Sequence, residues 1–253
     1  LLRKAGKAPD FVGIGAQKCG PAWLYEQLRT HPGVFFPPKR TIHYWDRHRA
    51  KGRDWYERHF SAAKDDQRKG EITPAYAILP RDTISEIRSA YADLRVIYIM
   101  RNPVERAWSA ACMMLQRAEI TLDEASDSWF IDHFRSERAR QHSDYEACLR
   151  NWLAYYPSEC ILPILYDEVV ANPVEILHKC FTHIGIAMSA PHVLDQRSLL
   201  NGLESSDPPM RPSLRRYLTD MYGPKIDSLE KFIGRNLHMW RAANEALLSG
   251  CDL

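Results

Sequence analysis

The sequence predicts an α/β fold, a mostly parallel sheet flanked by helices, and three observations carry that prediction. Apolar, β-rich runs stand at Phe11–Gly15, Leu94–Met100 and Ile161–Tyr166; each leads to a turn rich in Gly, Asn or Pro; and each turn opens into apolar residues at helical spacing. Strands alternating with helices in this way bury a parallel sheet between helical layers. Ligands of such sheets bind beyond the carboxyl ends of the strands, where the loops of the first two units both lie.

The first strand, FVGIG, is followed by Gly20 and then by Pro21, the first residue of a predicted helix, where a missing N–H costs little. That helix is expected to reach Thr30, with His31-Pro32-Gly33 ending it. LRVIYIM, Leu94–Met100, shows no period-two alternation, which suits a central strand covered on both faces. RNPVERAWSAACMML follows at once, with Asn102 as N-cap and Pro103 as first helical residue. In the third unit Asn172-Pro173, with Glu175 placed for a capping box, precedes an apolar stripe of Ile176, Leu177, Cys180, Phe181 and Ile184. No repeat or low-complexity linker interrupts the chain, so one domain over residues 1–253 is expected.

The chain has 253 residues, 45% of them hydrophobic, enough to bury a substantial core. Its 34 basic and 32 acidic residues leave a net charge of +2, which argues against a nucleic-acid partner and makes any anion site a local matter. Cys19, Cys112, Cys148, Cys160, Cys180 and Cys251 lack CxxC pairing, so reduced thiols in a cytoplasmic protein are expected. No run reaches the roughly twenty apolar residues of a membrane span, and LLRKAGKAPD lacks a secretory apolar core. The first residue is not Met, as after removal of an upstream segment.

GIGAQKCGPAWL, Gly13–Leu24, resembles a phosphate loop without hydroxyls. Gly15 and Gly20 have the Walker A separation, but Pro21 and Ala22 replace the Lys-Ser/Thr pair that would hold phosphates and Mg²⁺, which argues against a kinase or GTPase. Lys18 stands where a dinucleotide fingerprint needs glycine and directs a cation into the mouth of the loop. Taken alone, the loop is equally an anion site or a tight strand–helix turn with a solvated lysine.

The segments IGAQKCGPAWLYEQLRTHPGVFFPPK and RNPVERAWS resemble the 5′-phosphosulfate and 3′-phosphate motifs of sulfotransferases that use 3′-phosphoadenosine-5′-phosphosulfate (PAPS), particularly the bacterial and heparan-sulfate-type branch. The resemblance continues in order through PPKRTIHYW, GRDWYERHF, GEITPAY, SDYEACLRNWLAYYP, ILYDEVVANPVEIL and RPSLRRYL to IDSLEKFIGR. It implies the P-loop-like sulfotransferase fold, PAPS as co-substrate, 3′,5′-ADP as product and no obligatory metal. It further implies that Gln17, Lys18, Cys19, Gly20, Pro21, Ala22 and Trp23 surround the 5′-phosphosulfate, with Lys18 on the leaving group's bridging oxygen. Arg101 and Ser109 would hold the 3′-phosphate, and Thr73 would line the nucleotide pocket. The residues themselves also allow an Arg101–Glu105 ion pair, an ordinary helix-face hydroxyl at Ser109 and a turn hydroxyl at Thr73.

The chain departs from the family pattern at two places. Relatives carry a glutamate, the expected base, where this chain has Thr41; His43 is the candidate replacement, because an imidazole titrates near neutrality and alternation in an extended segment would put both residues on one face. A packed or surface histidine is the other reading. Relatives also carry Thr-Thr or Thr-Ser at Pro21 and Ala22. At about 1.5–3 kcal/mol for each hydrogen bond to a charged group, losing two weakens donor binding at least about a hundredfold unless something compensates.

His43, Tyr44, Trp45 and Tyr76 are the expected acceptor lining, facing a small molecule, glycan or natural product; core packing is the other reading. Gln116–Ser143 falls where relatives insert acceptor-covering structure. Near Ser205–Pro209, where relatives place a basic loop, this chain has acids and prolines, with Arg197 and Arg211 as possible substitutes. The expected function is sulfuryl transfer with Lys18 and His43 as catalytic residues. A fold-mate with another ligand or reaction and a catalytically silent binding module are the alternatives, and the oligomeric state is open.

Overall fold

The computed structural model describes residues 8–187 and 207–249. In chain order its regular elements begin with β1 (Phe11–Gly15), α1 (Pro21–Leu28), β2 (Val34–Phe35), α2 (Arg53–Arg58), β3 (Arg68–Ile72), α3 (Arg81–Ala90), β4 (Arg95–Met100) and α4 (Pro103–Ala118). They continue with α5 (Asp127–Arg135), α6 (Glu137–Ser143), α7 (Tyr145–Leu153), β5 (Ile161–Leu165), α8 (Tyr166–Ala171), α9 (Pro173–His183), α10 (Pro212–Ile233) and α11 (His238–Ser249). The described residues group into two compact units, one of 8–100 with 150–187 and one of 101–149 with 207–249.

The first unit holds the whole sheet, in order β2-β3-β1-β4-β5 with every pairing parallel. β1 is buried along its length because neighbours flank it on both edges, Phe11 meeting Gly70 of β3 and Arg95 of β4. Gly70 is obligatory there: a Cβ would stand 2.2 Å from the Phe11 ring. The register of β1 against β4 shifts between Gly13 and Gly15, so the chain leaves the sheet at the start of the glycine-rich loop. The expected strands at Phe11, Leu94 and Ile161 are found within a residue of their predicted ends. The helix predicted to reach Thr30 stops at Leu28, and an unforeseen short helix, α8, stands between β5 and α9.

The second unit packs Val104, Trp108 and Leu115 of α4, Phe130 and Phe134 of α5, and Leu214, Leu218 and Tyr222 of α10 into one apolar cluster. α4 begins as its sequence predicts, the Asn102 side chain accepting the Val104 N–H at 3.1 Å. Gln116–Ser143, the expected cover of the acceptor, contributes α5, whose Phe130 and Phe134 belong to this core, and α6, whose Ser143 hydroxyl and Ala139 carbonyl accept from Arg106 of α4. Among the described residues no helix is long and apolar enough to cross a membrane.

Candidate functional site

In the first unit the ends of β1 and β4 lie side by side, Gly15 opposite Tyr98. The loop that leaves β1 turns through three positive φ angles, at Gly15 (136°), Lys18 (69°) and Gly20 (83°). At Gly15 a Cβ would meet the Pro74 carbonyl at 2.9 Å, so only glycine fits. Lys18 takes the same left-handed region with a full side chain, at a cost of about 1–2 kcal/mol that the surrounding loop must offset. Lys18 is half-buried and stands two residues before Gly20, the N-cap of α1. A cation and the N–H groups of a helix start make a donor set suited to phosphate or sulfate. Pro21 adds no N–H to it and Ala22 no hydroxyl. Cys19 is fully buried, with its N–H on the Ala16 carbonyl at 3.2 Å, and Trp23 is 2% exposed, so neither presents its side chain to a ligand.

His43 also has a left-handed backbone, φ 57°, and opens a tight π-type turn in which Arg47 and His48 both donate their N–H to its carbonyl at 3.1 Å. This replaces the extended segment expected from sequence, so the alternation that would put Thr41 and His43 on one face does not apply. The turn brings Asp46 back onto the ring, its carboxylate 2.9 Å from Nδ1. That partner assigns the proton to Nδ1 and leaves Nε2 as the acceptor nitrogen. Nε2 has no hydrogen-bond partner among the described residues, and the side chain keeps 26% of its surface. The Thr41 hydroxyl is turned to the Ile72 carbonyl at 3.3 Å.

The aromatic acceptor wall expected from Tyr44, Trp45 and Tyr76 is a packed core instead. Tyr44 stacks on Tyr56 with ring centroids 4.7 Å apart, and Trp45 meets Tyr56 and Tyr91 edge-on. All three residues are at most 6% exposed, the Tyr76 hydroxyl being spent on Glu71 and on main-chain amides. Thr73, expected at the nucleotide, is fully buried and donates to Glu71 at 2.6 Å. Burial raises the Glu71 carboxyl above its ordinary range, and the hydrogen bonds from Thr73, Ile42 and Tyr76 oppose that rise.

In the second unit Arg101 follows the last residue of β4 in the chain, and the Tyr145 hydroxyl donates to its carbonyl at 2.7 Å. Its guanidinium lies 4.0 Å from Glu105, at the outer limit of an ion pair. Glu105 is held more closely by Arg215, at 2.9 Å, so one carboxylate serves two guanidiniums. Ser109 is on α4 and 2% exposed. Arg211, considered as a substitute for the missing basic loop, is committed to Asp127 at 2.6 Å and to the Leu122 and Ala125 carbonyls, a structural brace. Arg197 lies outside the described residues. Sequence reasoning missed Asp46, whose spacing of three from His43 was the available signal, and also Glu71 and Arg215, which carried none.

The sulfotransferase family matches residues 79–190. Heparan sulfate glucosamine 3-O-sulfotransferase 3A1 of Homo sapiens is 29% identical over 197 residues, 74% of this chain and 47% of that protein. The membrane-associated sulfotransferase kil1 of Dictyostelium discoideum is 32% identical over 104 residues, 40% of this chain and 22% of that one. The chain thus spans about half the length, or less, of these curated relatives. Among solved structures, a sulfotransferase from Alicyclobacillus acidocaldarius superposes with a TM-score of 0.72 at 24% identity, covering 92% of this chain and 99% of the other. Mouse sulfotransferase SULT7A1, solved with PAP, gives 0.58 at 17% identity, over 95% and 89%.

Proposed function

We propose that this chain, whose residues 79–190 match the sulfotransferase family, is a PAPS-dependent sulfotransferase that moves a sulfuryl group from PAPS to a hydroxyl of a small-molecule or glycan acceptor. The observation that carries the proposal is the His43–Asp46 pair, a partly exposed imidazole with its Nδ1 on a carboxylate and its Nε2 available. PAPS would supply the sulfuryl group and leave as 3′,5′-ADP. His43 Nε2 takes the acceptor hydroxyl's proton as that oxygen bonds to sulfur, and Asp46 stabilises the imidazolium that forms. A positioned base of this kind contributes about 10²–10⁴-fold in rate. Lys18 stabilises the negative charge that develops on the departing phosphate oxygen as the S–O bond breaks.

In this reading Lys18 and the main chain from Gln17 to Trp23 hold the 5′-phosphate, while Arg101 and Ser109 hold the 3′-phosphate. A planar guanidinium in the residue after β4 suits bidentate contact with a phosphate, which supports the second assignment. Pro21 and Ala22 favour a second reading, a family member that uses another ligand. Calorimetry with 3′,5′-ADP separates the two without knowledge of the acceptor. Saturable binding, lost in Lys18→Ala and in Arg101→Ala, supports the transferase; no heat at millimolar nucleotide overturns it.

A further inference from the structure

Glu71 and Tyr76 take no part in the chemistry assigned to His43, yet their polar atoms converge on the main chain around it. Glu71 is fully buried near the end of β3. Its carboxylate accepts the Ile42 N–H at 3.1 Å, the Thr73 hydroxyl at 2.6 Å and the Tyr76 hydroxyl at 2.9 Å. The Tyr76 oxygen in turn accepts the Tyr44 N–H at 3.0 Å and is approached by the Trp45 N–H at 3.4 Å. Amides immediately before and after His43 therefore end on one carboxylate, directly or through one hydroxyl.

The residue between those amides is in the left-handed region, which a side chain other than glycine keeps only where its surroundings over-determine it. Within the turn the ring meets Asp46 and the His43 carbonyl accepts the Arg47 and His48 amides, but none of these bonds holds the amides on either side of His43, which caps its turn without a side-chain bond to the main chain. A return to ordinary backbone angles would swing the ring away from Asp46. A carboxylate is also the one side chain that answers this geometry, since it accepts from every direction and donates to none; an amide would set an NH₂ group against converging donors.

The geometry points to Glu71 and Tyr76 as positioning residues for the candidate base, a buried clamp that fixes the left-handed turn placing His43 Nδ1 on Asp46. The inference deepens the transferase reading and rests on His43 being its base.

The test is long-range ¹H–¹⁵N NMR of the His43 ring in the full chain, at a pH where imidazole is neutral. In the native protein the ring is expected to hold its proton on Nδ1. Glu71→Gln and Tyr76→Phe should each shift the ring nitrogens toward a mixture of tautomers, as Asp46→Ala does by removing the partner directly. Ring signals in both variants that match the native protein would overturn the clamp. Should the variants not fold, hydrogen exchange in the native chain decides: the amides of Ile42, Tyr44 and Trp45 are expected to exchange as slowly as that of Ile97 in the sheet, and exchange at the rate of exposed amides overturns the inference. Calorimetry with 3′,5′-ADP reports separately on the transferase reading, so a tautomer shift without nucleotide binding keeps the clamp and removes the proposed reaction.

Discussion

Tyr76 donates its hydroxyl proton to Glu71 across 2.9 Å, and neither residue has any surface exposed to water. Removing that hydroxyl leaves the Glu71 carboxylate one donor short and the Tyr44 amide without its acceptor. Each orphaned buried group costs about 1–3 kcal/mol. Tyr76→Phe is therefore expected to lower unfolding stability by about 2–4 kcal/mol, read from the urea midpoint. A loss smaller than about 0.5 kcal/mol, the scale of an inert surface change, would show that the network is slack.

The same carboxyl imposes a pH dependence of definite sign. Burial raises its folded value above the ordinary 4.5, so the native protein binds the extra proton in the interval between the two. Stability from this group is present below 4.5 and is lost as the pH rises through the folded value. Glu71→Gln removes the dependence. The stability difference between wild type and variant, measured by denaturant titration at successive pH values, should change across that interval and level off above it.

His142 works in the opposite direction. Burial, with the Arg106 guanidinium as the next cause, pushes its folded value down from 6.5 to about 3. The unfolded chain therefore binds a proton that the native one refuses. Stability is complete above 6.5 and falls as the pH drops toward about 3. At about 1.4 kcal/mol for each pH unit, this one side chain can cost about 5 kcal/mol in strong acid. His142→Phe is expected to flatten much of that acid limb, leaving the contribution of His183, which is depressed to about 4. Superimposable acid-unfolding curves would refute the assignment.

Pro21 and Ala22 make the donor loop a site that can be improved. Restoring hydroxyls with Pro21→Thr and Ala22→Thr returns two side-chain donors and one N–H. Two charge-assisted bonds at about 1.5–3 kcal/mol each predict at least about a hundredfold tighter binding of 3′,5′-ADP by calorimetry. An unchanged constant would mean that the nucleotide does not meet this helix start.

The two cations should differ from the hydroxyl. Lys18→Ala and Arg101→Ala each remove a charged partner and are expected to weaken 3′,5′-ADP at least about tenfold. Ser109→Ala, the loss of one neutral donor, should cost less. His43→Ala should leave the nucleotide affinity unchanged, because its proposed partner is the acceptor. A collapse of nucleotide binding in His43→Ala would reassign that residue.

The sequence by itself determined the parts whose signal is local. A continuous apolar run at Phe11–Gly15 or Arg95–Met100 announces a buried parallel strand, and Asn102-Pro103 announces a helix start, because apolar spacing and capping act within a few residues. β3 was invisible for the opposite reason. Its residues, RKGEI, pair to form a strand beside β1, but they include a glutamate whose burial makes sense only with Thr73, Tyr76 and Ile42 around it. The identity of His43 as a candidate could be read from its chemistry and its place two residues after Thr41. Its conformation, its pairing with Asp46 and the withdrawal of Tyr44, Trp45 and Tyr76 into the core were settled only by the tertiary structure. The spacing of three between His43 and Asp46 is local, but the conformation that makes use of it and the withdrawal of the aromatics depend on hydrogen bonds spanning 29 to 32 residues, a separation that no pattern within the segment encodes.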